Sequence, residues 1–233
     1  VSVESLYPFL YDDADGADDR VAGLDQVLAE VAASTRAKVA QIQDVRRAVV
    51  AADAARLGEC AAAMADRFAA GGRLLTFGNG GSSTDAAAVA ALFLSPEPTA
   101  AALPAMALSA DVATITALAN DVSFDVVFAR QIAAAGRPVD IAFGLSTSGG
   151  SANVLRGFAE AGRRGLLTVG LAGYSGGAMA EAAARGEIDF LFVMPSDSVH
   201  RIQEAQTTTY HVLWELVQHV LAGPGPAPGA DGP

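Results

Sequence analysis

The chain of 233 residues has almost no lysine: Lys38 is the only one, and 15 basic residues face 26 acidic ones for a formal net charge of −11. With a pI near 4.6, it has no basic stripe with which to neutralise a nucleic-acid backbone, so no direct nucleic-acid partner is expected. Cysteine is nearly absent as well. Cys60 stands alone, which excludes an internal disulfide framework, and its apolar helical surroundings make it a small core residue rather than a nucleophile. No run approaches the ~18 consecutive apolar residues of a membrane span, and the first residues lack the basic start and apolar centre of a secretory signal. These absences predict a cytoplasmic protein with no membrane partner.

What is present is alanine, valine and leucine spread along the chain, giving a mean hydropathy of +0.33. So apolar a chain with so few charges is expected to hide surface in a homo-oligomer. Its length suits one α/β domain with accessory helices. Residues 1–20, with five aspartates between Tyr11 and Asp19, read as an acidic flexible segment, and the Gly/Pro-rich residues 223–233 as a disordered tail. Between them a single domain is expected over 21–222. Residues 21–70 predict two long helices, with a junction at Ala51-Ala52-Asp53, and residues 73–222 an α/β core.

Five short apolar runs punctuate that core: Leu74–Phe77, Ala105–Leu108, Val139–Phe143, Leu166–Leu171 and Phe190–Met194. Strands alternating with helices imply right-handed crossovers, and hence a three-layer αβα, doubly wound, five-stranded parallel sheet. Two of the runs lead into turns rich in glycine and hydroxyls, Gly78–Asp85 and Gly144–Asn153. Backbone N–H groups and short hydroxyls at a helix start receive a phosphate well without any lysine, and ligands of such sheets sit at the strand carboxyl ends. Asp85, placed in the first turn of its helix, is accounted for by capping and the helix dipole. A last helix, from about Val199 to Leu221, carries all three histidines, His200, His211 and His219.

The segments Gly78–Asp85, Leu108–Asp121 (ending Leu-Ala-Asn-Asp), Gly144–Asn153 and Arg201–His211 occur in the order found in sugar isomerase (SIS) domains. From Val21 to Val220 the chain resembles the bacterial phosphoheptose isomerases, which interconvert sedoheptulose 7-phosphate and its aldose. The resemblance implies a homotetramer with sites between subunits. It implies that Ser82, Ser146, Thr147, Ser148 and Ser151, with the amides around Gly80, hold the sugar phosphate, and that Asn79 contacts the sugar chain. Asp121 either orients a substrate hydroxyl or ends a helix. Gly150 stands where the family usually has Asn.

Aldose–ketose isomerisation needs a base near C1–C2 and an acid for the carbonyl oxygen. In the family these are a glutamate after the first turn and a histidine on the last helix, with zinc nearby. This chain keeps Gln203 and His211 but has Ala88 for the family's histidine, Leu92 for its glutamate and Pro96 for an arginine. Gln203 and His211 are at most a remnant of the zinc site, since zinc needs three or four ligands. His200 falls in helical register with Gln203, Thr207 and His211 and is a speculative substitute base, as is Glu204. Two functions follow: an isomerase with His211 as its acid–base group, Gln203 beside it and its base supplied by an unconventional residue, or a catalytically silent sugar-phosphate-binding or regulatory/adaptor protein on the same tetrameric fold.

Overall fold

The computed structural model describes residues 17–95 and 100–223, with side chains from Leu24 onward. The expected acidic segment lies outside the described residues up to position 16, as does the expected tail beyond Gly223, and Ala17–Arg20 are helical. The chain divides into two units, Val1–Gln41 and Ile42–Pro233. In the first, every side chain from Leu24 to Gln41 is exposed.

The two helices expected over 21–70 are one, α1 (Ala17–Ala69), unbroken at Ala51-Ala52-Asp53. The reason is local. Alanines flank Asp53 on both sides, no proline or glycine interrupts them, and Arg56 lies one turn on, where it moderates the upward push of burial on the Asp53 carboxyl.

The core elements follow as β1 (Leu74–Gly78), α2 (Gly81–Leu94), β2 (Ala105–Ala107), α3 (Val112–Asp121), a 3-10 turn (Phe124–Val126), α4 (Val127–Ala135), β3 (Ile141–Ser146), α5 (Ala152–Arg163), β4 (Leu167–Gly173), α6 (Gly177–Ala184), β5 (Phe190–Met194) and α7 (Val199–Ala222). The five strands form one sheet in the order β2-β1-β3-β4-β5, every pair parallel. Parallel strands covered on both faces read as apolar runs, and β1, β3 and β4 are buried throughout.

Alternate residues of each strand feed different layers. Leu74, Ile141, Phe143, Leu145, Val169 and Leu171 pack with α1, α2 and α7, while Leu75, Phe77, Ala142 and Ala172 pack with α4, α5 and α6. Phe77 sits at the centre of the second layer, its ring 5.4 Å from that of Phe128 and 5.2 Å from that of Phe158. The three-layer doubly wound architecture is therefore present as expected. Strand β3 starts later and runs further than the sequence suggests. Val139 and Asp140 lie before it, because the Asp140 N–H closes a turn on the Arg137 carbonyl and the Asp140 carboxylate accepts from the backbone N–H groups of Arg73 and Arg137. Gly144, Leu145 and Ser146 belong to the strand rather than to the turn.

Candidate functional site

In this sheet β1 and β3 are neighbours whose onward connections run in opposite directions, β1 toward β2 and β3 toward β4. Helix α2 consequently packs in one layer and α5 in the other. A crevice at the carboxyl ends of β1 and β3 is the geometric result, and the two glycine-rich turns are its walls.

Two side-chain links hold these walls. Asn79, in the first turn, donates from Nδ2 to Asn153 Oδ1 at 2.7 Å, and Asn153 returns the bond from its own Nδ2 to Asn79 Oδ1 at 2.9 Å. Asn153 is buried, only 3% exposed, in the first turn of α5. The Oγ atoms of Ser146 and Ser151 lie 3.1 Å apart across the mouth of the second turn, and Ser148 Oγ accepts from the Gly150 N–H at 3.2 Å. The second turn is also fixed from behind. Thr147 O accepts from Gly173 N–H and Gly149 O from Met179 N–H, so both carbonyls are tied to the neighbouring β4–α6 connection. Gly149 has φ +65°, and a Cβ there would overlap the Gly176 carbonyl oxygen, so no other residue fits this corner.

Neither helix start is capped by a side chain. The N-cap of α2 is Gly80 and that of α5 is Ser151, whose hydroxyl meets Ser146 instead of its own helix. Helices α4, α6 and α7 also lack a side-chain cap, whereas Asp111 caps α3 through the Thr114 N–H. Uncapped first-turn N–H groups beside short hydroxyls form an electropositive mouth suited to an anion. The expected phosphate residues are thus brought together. Ser146, Thr147, Ser148 and Ser151 lie in or beside the second turn, and Gly80 and Ser82, the latter buried, lie in the first. Asn79 is committed to Asn153. Asp121 ends α3 in solvent, accepting from Asn120 Nδ2 at 2.8 Å, the helix-ending alternative of its two readings.

The helix α7 supplies the other polar groups. Gln203 donates from Nε2 to Asp85 Oδ2 at 3.3 Å. His211 has Nδ1 2.8 Å from Thr207 O; a carbonyl can only accept, so the proton sits on Nδ1 and Nε2 presents its lone pair. Its ring stacks on Tyr210 at 4.9 Å between centroids. Burial pushes the Tyr210 hydroxyl upward, against a bond with Thr207, and the negative Asp85 adds to the rise. Gln203, Thr207 and His211 share one helix face, as the spacing predicts, because Thr207 Oγ1 also bonds the Gln203 carbonyl. All three histidines, His200, His211 and His219, are exposed. Glu204 is paired with Arg201 on its own helix rather than available as a base.

One reading is overturned. Asp85 is no cap: it is the fifth residue of α2, beyond the first turn, and its partner is the side chain of Gln203 across 118 residues of sequence. Burial raises its carboxyl above the ordinary value, with the Gln203 bond opposing. Sequence reasoning also missed the bridging role of Asn153, and passed over Tyr174. This residue follows β4 directly with a left-handed backbone (φ 53°), strained for a bulky side chain, beside the Gly173 N–H that anchors the second turn.

Zinc does not fit the donors present. Ala88 has no donor atom, and Leu92 packs against the apolar cluster under α2. Among the described residues, no group of three His, Cys, Asp or Glu side chains is placed to hold a metal.

Two glycine- and hydroxyl-rich turns at the switch point of a five-stranded parallel sheet, with the polar side chain of Gln203 from the last helix reaching the first of them, give the layout of a sugar isomerase type domain. The SIS domain model matches residues 39–173, and the chain belongs to that family. It is similar to the phosphoheptose isomerase of Roseiflexus sp. (strain RS-1), with 40% identity over 179 residues, 76% of this chain and 88% of the relative. It is 45% identical over 161 residues to the phosphoheptose isomerase of Paramagnetospirillum magneticum, 69% of this chain and 81% of that one. Among solved structures, phosphoheptose isomerase GmhA from Neisseria gonorrhoeae superposes with a TM-score of 0.71 at 31% identity, covering 83% of this chain and 99% of that one.

Proposed function

We propose that the crevice binds a heptose 7-phosphate, with the phosphate on the second turn and on the start of α5, and that the chain carries out aldose–ketose isomerisation of the sedoheptulose 7-phosphate type. The observation that carries this reading is the pair of uncapped helix starts, locked together by Asn79 and Asn153 at the switch point. Ser146, Thr147, Ser148, Ser151 and Ser82 supply hydroxyl and amide donors, which an anion rewards more than a neutral ligand does. His211 Nε2 is the acid–base group: it takes the proton from the carbon beside the carbonyl and returns it to the neighbouring carbon as the enediol collapses, while a water carries the hydroxyl proton of the first carbon to the former carbonyl oxygen. Gln203 hydrogen-bonds the sugar chain near that centre.

A second reading rests on Ala88 and Leu92. Helix α2 bears no ionisable side chain from Ala86 to Leu94, and loss of a positioned base costs about 10²–10⁴-fold in rate. On that reading the protein holds a sugar phosphate without converting it and acts as a regulatory or adaptor protein. A cytoplasmic homotetramer belongs to both readings. The exposed Leu24, Val27, Leu28 and Val31 on α1 support association, and no helix among the described residues is long and apolar enough to cross a membrane.

The deciding experiment incubates the purified chain with sedoheptulose 7-phosphate, with and without a chelator, and follows the aldose by NMR while calorimetry measures binding. Turnover that persists in chelator and is abolished by His211→Ala is expected. Binding without turnover selects the second reading, and absence of binding defeats both.

A further inference from the structure

We infer that Asp85 is a positioning residue that fixes the amide of Gln203 so that its carbonyl oxygen is offered to a sugar hydroxyl; this deepens, and rests on, the sugar-phosphate reading above. A glutamine amide has a donor end and an acceptor end, and left to rotate it presents either. Here the choice is made by chemistry. The ionised carboxylate of Asp85 can only accept, so the end of Gln203 that faces it at 3.3 Å is the NH2 group. The amide is also held in place by close approach. It lies on Gly81, the first residue of α2, where an added Cβ would overlap Nε2. Asp85 is one helical turn beyond Gly81, so floor and anchor belong to the same helix and move with the first turn of the crevice.

With Nε2 committed, Oε1 is the free end: it accepts no hydrogen bond from any of the described residues, and a sugar chain is a row of O–H donors. The rest of α2 offers nothing equivalent. Beyond Asp85 its outward positions are Ala87, Ala88 and Ala91.

The test is calorimetric titration of the full chain with two probes, sedoheptulose 7-phosphate and inorganic phosphate. Asp85→Ala is expected to weaken the sugar phosphate about tenfold, the equivalent of one hydrogen bond, with inorganic phosphate unchanged within about twofold. Asp85→Asn recovers only part of the loss, because the Asn amide can offer Oδ1 to Nε2 but can also turn Nδ2 toward Gln203 Oε1. In a Gln203→Ala background, Asp85→Ala has no further effect. The inference is overturned if Asp85→Asn loses as much as Asp85→Ala, which assigns the carboxylate a charge or proton-transfer role. It is equally overturned if the Asp85 and Gln203 effects add, or if phosphate binding falls in parallel. Should the unaltered chain bind neither probe, the sugar-phosphate reading fails and takes this inference with it; should it bind both while the variants depart from these results, the inference alone fails.

Discussion

Replacing either member of the Asn79–Asn153 pair measures how far the two walls of the crevice act as one. Each substitution to alanine removes both hydrogen bonds, at 2.7 and 2.9 Å, worth about 1 kcal/mol each in net stability. The partner left behind differs. Asn153 is 3% exposed, so Asn79→Ala strands a buried amide and adds about 1–2 kcal/mol of unmet desolvation, for a total near 3 kcal/mol. Asn153→Ala strands the half-buried Asn79, which water can reach, and also gains roughly 0.5 kcal/mol of helix propensity in the first turn of α5. Its cost is nearer 1.5 kcal/mol. The double variant lacks any orphaned amide and keeps the propensity gain, so it is expected to cost about 1.5 kcal/mol, less than the sum of the two, leaving a coupling of about 3 kcal/mol. Urea unfolding of the four proteins gives the cycle directly. Additivity within about 0.5 kcal/mol, or Asn153→Ala costing more than Asn79→Ala, would refute the reasoning, since each means that the two turns are held by something other than this pair.

Two further outcomes follow from the same geometry. Gly149→Ala must place a side chain at φ +65° against the Gly176 carbonyl; it is expected to weaken inorganic phosphate and sugar phosphate alike by about tenfold or more, with the far-ultraviolet circular dichroism retained. At the other end of the sheet, burial pushes the Asp140 carboxyl up, but bonds from Arg137 and Arg73 outweigh it and hold the group below the usual carboxylate range. Its stabilisation is thus complete above the unfolded value near ~3.9 and lost as pH falls through the folded one, so Asp140→Asn is expected to flatten the acid limb of stability measured from pH 7 to pH 3. At pH 7 that variant costs about 2 kcal/mol, a figure reduced because the two guanidinium groups are a third to a half exposed.

The sheet was legible in the sequence because its central strands are buried on both faces. Leu74–Phe77 and Leu166–Leu171 need no partner to announce themselves, and the order of runs and helices leaves few parallel topologies open. The second turn was legible for a related reason: a strand-to-helix turn is local, so Ser146 to Ser151 meet whatever the rest of the chain does. What escaped was every feature made by two distant segments. Asn153 looks like a first-turn residue until Asn79 is brought beside it from 74 positions away. Asp85 has the sequence position of a cap, and only the packing of α7 against α2 shows that its partner is Gln203. The unbroken α1 was missed in the opposite direction, a polar aspartate being taken as punctuation where its alanine neighbours keep the helix running.

On the proposed sugar-phosphate reading, the two ends of the crevice obey different physics, and this is why the residues Ala88 and Leu92 bear on one and not the other. The anion end is built from backbone N–H groups and short hydroxyls whose placement is set by strand order, so it needs no particular residue on the outer face of α2 and no cationic field from a chain of net charge −11. Several of the arginines are instead spent in ion pairs, Arg73 and Arg137 on Asp140, Arg163 and Arg164 on Glu160, Arg185 on Glu187 and Arg201 on Glu204. The sugar end depends on side chains facing one another across α2 and α7, where replacing a glutamate by a core-packed leucine removes a base outright. On the proposed reading, affinity for a phosphorylated sugar and the ability to move its protons are separable: Gln203 with Asp85 bears on holding the sugar chain, and His211 is the group on which proton movement turns.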